Sequence, residues 1–592
     1  MLLRELDSLY ERLLGEDRLP PVGYVKKPVR FLVELTAEGQ CTSIISTGVG
    51  KEATQLRVPD VSRTGIKAPA FLVCDNAQYV LGLAQSGGDA AQQKADRARE
   101  RYLAVLTAAI GDLAGIDLPA VRKLRAVQTF VADATAARHK FTQAGFTLEP
   151  NPKGVIAEAS ERIGFLVDGA DPLAMGSVRQ WWAERNNQHL VSEVDGVCQV
   201  SGNTTKLARI MPGLSVKKGI PQALISANFP SALRYNATQS RGAQISVPAA
   251  IRSHQALNWL LGDGHHHRLM GQITYVWWLE GDLTFDPFDI IAKPDPADVE
   301  AMMARPWTGR PGMKPSTNFR ILGLSLTEGR IVLRFDHTTT LNIIEANTRQ
   351  WLDLIAQSRS DGSTWWPSIN TLAEAALTPG KGTARQTQRD RVIQALARSA
   401  ITATPLPRSH LAAVVDRCRS VPVPRASATK VDWAALGGRL AALRLHRQFK
   451  ENTMATEPTA GDLCGRILAQ LDNAQRQAVG ETNRSVADRF YAGASTRPQS
   501  VFPGLLRTAK AHLSKIGRTS GAAGRGTQIA IERRLGELSG LLIESGGFPQ
   551  TLNLDDQADF ALAYWHERTL KGVKKATDPD TTQDDSTQKG TP

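Results

Sequence analysis

Residues 319–335, FRILGLSLTEGRIVLRF, hold two alternating apolar runs on either side of Glu328-Gly329. Side chains along a strand point to opposite faces in turn, so a period of two flanking a glycine turn predicts a β-hairpin. Upstream, GQITYVWWLEG (271–281) is apolar in both alternating sets, as a strand packed on both faces would be. Phe31, Val33 and Leu35 alternate like a half-buried strand, and Leu2, Leu6, Leu9 and Leu13 fall at helical spacing. Residues 89–112 are helical by composition, with more helix to about 145. Beyond about residue 340 the chemistry changes: Ala, Leu, Gln and Arg dominate and β-branched runs become rare. Ile531, Leu535, Leu538 and Leu542 mark one amphipathic helix, and 555–571 reads as another. The expected fold is α/β (mixed α+β) in the amino-terminal region, with a separate all-α helical-bundle carboxyl-terminal domain. Segments 376–386, 419–430 and 450–461 read as linkers, and the last residues are polar enough to be disordered.

The chain has 592 residues, roughly four domain equivalents at about 150 residues each. Lys+Arg 71 against Asp+Glu 58 gives a formal net charge of +13. Such a balance points to an anionic partner, nucleic acid first, or else to a basic surface that only aids solubility. No apolar run reaches the roughly 18 residues of a membrane span, and the amino terminus is an acidic amphipathic helix that does not resemble a signal peptide. Five scattered cysteines without a CxxC pair fit a reducing cytoplasm.

Catalytic signatures fail on inspection. GVGKEA (48–53) and PGKGT (379–383) lack the earlier glycine and the Ser/Thr of a phosphate loop. His265, His266 and His267 are adjacent, with Asp263 nearby, and neighbouring side chains diverge too far to converge on one metal. Asp286 and Asp289 suit helix capping better than magnesium. No catalytic residue, metal or cofactor is expected.

What does stand out is an absence. Between Asp195 and Asp263 there is no Asp or Glu, while Lys206, Arg209, Lys217, Lys218, Arg234, Arg241 and Arg252 accumulate among Asn203, Asn228, Asn236 and Gln239. A carboxylate beside a phosphate path would repel it, whereas each Lys or Arg gains by counterion release. The cations hold phosphates and the amides can read base edges. In RTGIKAPAFLVCDNAQYVLG (63–82) Lys67 and Asn76 flank a short predicted strand, although an Asn starting a helix also serves as a cap. A second acid-free window runs from Asp488 to Glu532, with Arg489, Arg497, Arg507, Lys510, His512, Lys515, Arg518 and Arg525. On a helix Arg507 and Lys510 share a face, with Lys515 near it.

Six segments in order carry a family resemblance: KAPAFLVCDNAQYVLGL (67–83), ISANFPSALRYNATQSRGAQISVPAA (225–250), TYVWW (274–278), ILGLSLTEGRIVLRF (321–335), ADRFYAGASTRPQSVFPGLLR (487–507) and FPQTLNLDDQADFALAYWHER (548–568). Together they resemble the large subunit of the subtype I-C CRISPR-associated Cascade complex, across nearly the whole chain. The resemblance implies a non-catalytic subunit of an RNA-guided DNA surveillance complex that recognises a short flanking motif (the PAM) on target double-stranded DNA and starts strand separation. Implied partners are the CRISPR guide RNA, the Cascade backbone and guide-end-capping subunits, small helical subunits and a helicase-nuclease. Lys67, Asn76, Asn228, Asn236 and Gln239 are then expected near the PAM. Lys206, Arg209, Lys217, Lys218, Arg234 and Arg241 are expected on its phosphates, and Arg507, Lys510, Lys515, Arg518 and Arg525 on the displaced strand. The implied organisation is a docking region (1–345), a helical connecting region (346–450), a bundle resembling the small subunit (454–578) and a tail (579–592). Met454 is either an internal translation start for that small subunit or an ordinary linker methionine. Two other readings remain open: a stand-alone metal-dependent nuclease using Asp286, Asp289 and the histidine run, and a scaffold gripping guide RNA alone.

Overall fold

The computed structural model describes residues 2–48, 52–59, 69–145, 157–214, 222–225, 242–279, 286–304, 314–327, 330–359, 362–420, 430–448, 457–480, 484–519 and 521–569. The chain forms two compact units, one of residues 1–262 with 327–331, the other of 263–326 with 332–592.

The first unit begins with α1 (Leu2–Gly15), whose Leu6, Leu9, Tyr10 and Leu13 are buried. Strands β1 (Tyr24–Pro28), β2 (Phe31–Leu35), β3 (Cys41–Ser46), β4 (Gln55–Pro59) and β5 (Asp75–Asn76) follow, then α2 (Ala77–Val80), α3 (Asp89–Leu113), α4 (Leu118–Ala132), α5 (Ala134–Gln143), β6 (Arg162–Val167) and α6 (Gly176–Asn187). Strands β3-β2-β6-β5 make a four-stranded sheet in which β2 and β6 are parallel and the other pairs antiparallel. Parallel neighbours need a crossover, and here α3–α5 lie along that crossover. The alternation at Phe31, Val33 and Leu35 is what buries one sheet face: with Ile163, Phe165 and Val167 they share a core with Tyr102, Leu106, Leu124, Val127 and Phe141. Phe31 meets Phe141 edge to face at 5.6 Å. Strands β7 (Val191–Val197) and β8 (Thr204–Ala208) form an antiparallel hairpin. The short strands β9 (Gly213–Leu214) and β10 (Gln222–Ala223) pair with each other, and α7 (Val247–Gly262) packs beside α1.

The second unit opens with β11 (His267–Met270) and β12 (Ile273–Leu279), then α8 (Pro287–Ala292), α9 (Pro296–Ala304), β13 (Asn318–Thr327) and β14 (Arg330–Thr340). As expected from its doubly apolar pattern, β12 is buried on both faces, with the Trp277 ring 4.5 Å from that of Phe288 and tilted by 32° to it. The alternating runs at 319–335 are β13 and β14; their turn, Glu328-Gly329, lies outside the described residues.

From α10 (Leu341–Ile355) onward the unit is almost wholly helical: α11 (Ile369–Ala375), α12 (Thr383–Thr402), α13 (Arg408–Ser420), α14 (Lys430–Arg447), α15 (Ala460–Val479), α16 (Val486–Ala494), α17 (Pro498–Thr519), α18 (Gly521–Glu544) and α19 (Leu554–Thr569). Helix α15 is the axis of the last group, with Gly461 to Ala474 buried almost continuously. Two glycines let α19 come close: a Cβ on Gly461 would lie 2.1 Å from the Asp556 carbonyl oxygen, and one on Gly465 2.3 Å from that of Phe560. The bundle also swallows acids. Asp472, fully buried, accepts from Arg568 at 3.0 Å, and Glu567 takes both Nε and Nη2 of Arg534 at 2.9 Å. Among the described residues no helix is long and apolar enough to cross a membrane.

Candidate nucleic-acid interface

The first acid-free window is only partly within the described residues. Lys67, Lys217, Lys218, Asn228, Arg234, Asn236, Gln239, Arg241 and Met454 lie outside them. Lys206 is exposed on β8, and in the hairpin register it stands directly opposite Asp195. An acid that bounds the window in sequence therefore neighbours one of its cations in space. Arg209 is half-buried, with its backbone N–H bonded to the Leu190 carbonyl at 2.7 Å. Arg252 turns away from any phosphate path. Its Nε donates to Asp7 at 2.7 Å and its Nη2 to the other Asp7 oxygen at 3.2 Å, with Glu11 at 3.4 Å, joining α7 to α1. The hydrogen bond from Arg252 to Asp7 holds its guanidinium pKa above the usual value against the effect of burial.

Asn76 is positioned by a buried loop. The sequence predicts a short strand between Lys67 and Asn76, but residues 69–74 are not one: the Asp75 carboxylate accepts the N–H of Phe71 at 2.8 Å and of Asn76 at 2.7 Å and folds the segment back on itself. Val73 takes a left-handed φ of 60°, and its carbonyl accepts from the Tyr102 hydroxyl at 2.6 Å. The Asn76 side chain then caps α2, accepting the Tyr79 N–H at 3.3 Å. Asn76 is half-buried there.

The second window gives a clearer surface. Helix α17 packs through Pro498, Phe502, Leu505, Ala509, Leu513 and Ile516. At about 100° per residue these point one way, while Arg507, Lys510, Ser514 and Arg518 fall within about 80° of each other on the opposite side, with Lys515 at its margin. All four cations, and Arg525 in the first turns of α18, are exposed. Among the described residues Arg507 bonds only to its own helix, at the Pro503 carbonyl, and Arg518 likewise to Ser514. From Arg507 to Arg518 the face spans about 16 Å, the axial rise of about five nucleotides of one B-form strand. Half-buried His512 has its pKa lowered by burial and by Lys515, which keeps the imidazole neutral beside this face. One residue escaped the sequence reading: Phe490 is 40% exposed next to exposed Arg489, an aromatic face of the kind on which a base stacks. The available signal was an aromatic at the edge of an acid-free window.

The acidic and histidine groups are occupied differently. Asp286 caps α8 through the Phe288 and Asp289 N–H groups, and Arg268 pairs with Asp286 at 3.0 Å and Asp289 at 2.6 Å. Asp263 organises the histidine run, accepting the His265 N–H and the His267 Nδ1 through its side chain and carbonyl respectively. Among the described residues no group of three or more His, Cys, Asp or Glu is arranged to hold a metal ion.

Residues 6–570 match the model of the family described as CRISPR-associated protein (Cas_Csd1). The chain belongs to the CRISPR-associated Cas_Csd1 family. No curated protein matches it.

Proposed function

We propose that this protein is the large subunit of a subtype I-C Cascade complex, a non-catalytic component that recognises the PAM on target duplex DNA, promotes strand separation and R-loop formation, and helps recruit a helicase-nuclease in antiviral defence. The observation that carries this reading is the solvent face of α17, where Arg507, Lys510, Lys515 and Arg518 accumulate without an acid in a chain whose family match spans 6–570. In an RNA-guided complex, base pairing reads the target sequence and the protein reads a short flank and the backbone. A minor-groove flank is degenerate, so a few amides, backbone groups and lysines suffice to read it. Opening the first base pairs costs a few kcal/mol per step, which phosphate contacts and guide pairing offset. The α17 face, with Arg525, would carry the displaced strand, and the segment around 203–241 would meet the PAM duplex. Guide RNA, backbone subunits, guide-end-capping subunit and small helical subunits complete the assembly, in the cytoplasm.

The test is quantitative binding by the assembled complex to duplexes with and without a PAM. Gln239→Ala should weaken PAM-containing targets selectively. Lys217→Ala with Lys218→Ala should weaken all duplexes and reduce the salt slope by about one unit per contact. Unchanged binding by both variants at moderate salt would overturn the assignment.

A further inference from the structure

A cleft of about 420 Å³ opens between β14 and the carboxyl end of α12, lined by Arg334, Phe335, Asp336, His337, Arg398, Thr402 and Thr404. We propose that it is a nucleotide-binding site, in which the guanidiniums of Arg334 and Arg398 take a phosphate while Phe335 and His337 face the base. The volume lies in the range of small-molecule sites.

The cleft lies beside β14, four consecutive residues of which line it. On the edge away from β13, β10 meets β14 at Ala223↔Arg330, and among the described residues no strand pairs with that edge further along. Side chains of both alternating sets, Arg334 with Asp336 and Phe335 with His337, line the cleft. Its charge is unbalanced toward anions. Asp336 is already paired with Arg320 at 2.5 Å, whereas Arg334 is held by a neutral partner, Ser325 Oγ, at 3.0 Å. Arg398 is exposed with no ion pair among the described residues. Burial, together with Arg320 and Arg398 and against Asp336, lowers the pKa of His337, which favours the neutral imidazole. Its ring lies 5.8 Å from that of Phe335, and Phe335 is braced on Tyr275 at 6.1 Å.

The threonines are brought together by a strained residue. Ala403 takes a left-handed φ of 50°, which turns the chain so that the Thr402 and Thr404 hydroxyls meet at 2.9 Å. That conformation costs a non-glycine residue on the order of 1 kcal/mol. The partial negative charge of the helix end is blunted: the Asn347 amide donates to the Ile401 carbonyl at 2.7 Å and the Thr402 hydroxyl to that of Arg398 at 2.8 Å. Free nucleotides and strand ends carry the same chemistry.

The experiment is calorimetric titration of the full chain with AMP, adenosine, inorganic phosphate, and an oligothymidylate with and without a 5′-phosphate. AMP should bind more tightly than adenosine, and Arg398→Ala or Arg334→Ala should each weaken AMP about tenfold or more. Arg398→Lys should recover part of that loss, and His337→Ala should weaken AMP but not inorganic phosphate. Preference for the 5′-phosphorylated oligonucleotide over AMP assigns a strand end, and equal affinity a free nucleotide. Thermal melts of each variant separate lost binding from lost folding. Absence of binding by any probe, parity of adenosine with AMP, or unchanged affinity in folded Arg398→Ala would overturn the proposal. The α17 cations lie outside the cleft, so their alanine variants should bind AMP normally whether or not α17 carries DNA.

Discussion

Replacing Arg507, Lys510, Lys515 and Arg518 together with alanine removes the α17 charge and leaves its packing intact. All four are exposed, and none belongs to the buried set of Phe502, Leu505, Ala509 and Leu513. Alanine is the best helix former, so the bundle should keep its stability. Each phosphate contact on a single strand contributes about 0.7 to the slope of log affinity against log salt, so four contacts contribute about 2.8. Between 50 and 200 mM salt, a fourfold change, the advantage of the unmodified chain over the variant should shrink by about 50-fold. Fluorescence anisotropy with a labelled single-stranded oligonucleotide reads this directly, with a urea melt as the control for folding. Parallel log–log lines for the two proteins would refute the phosphate path, even if the affinities differed at one salt concentration.

Other outcomes follow from the bundle. Gly465→Ala drives a Cβ to 2.3 Å from the Phe560 carbonyl oxygen, so urea unfolding should show a loss of about 1–3 kcal/mol or more, whereas Gly504→Ala, on an open helix surface, should be neutral or slightly stabilising. An unchanged midpoint for Gly465→Ala would contradict the close α15–α19 packing. His410 Nδ1 and His446 Nε2 lie 2.9 Å apart between α13 and α14, and burial lowers their pKa values to about 3 and about 4, for His446 against the opposing charge of Asp555. The unfolded chain then binds protons that the folded chain refuses once pH falls below about 6.5, so stability drops on acidification. His446→Gln should make that decline shallower; an unaltered pH slope would show that the pair contributes nothing.

The α/β beginning and the helical end were legible because period-two and helical spacing act locally: Phe31, Val33 and Leu35 needed no distant partner to declare a sheet face. The same holds for α17, where helical geometry alone sorts Arg507 and Lys510 away from Leu505 and Ala509. Long-range pairing was not legible. Arg252 looked like one more cation in an acid-free run, yet its acid lies on α1, at Asp7. Asp195 bounds the first window in sequence and faces Lys206 once the hairpin register is set. FLVC has strand composition, but Asp75 claims its backbone. The cleft at Arg334 and Arg398 joins residues from a strand and a helix far apart in the chain, and no local pattern announces it.

The most direct measurement is photocrosslinking with mass spectrometry on the assembled complex bound to target DNA carrying photoreactive thymidines in the non-target strand. The account predicts crosslinked peptides from α17 and the start of α18, between residues 498 and 525, that disappear when the target lacks a PAM. Crosslinks confined to other parts of the chain, or failure of the chain to assemble with guide RNA at all, would contradict it.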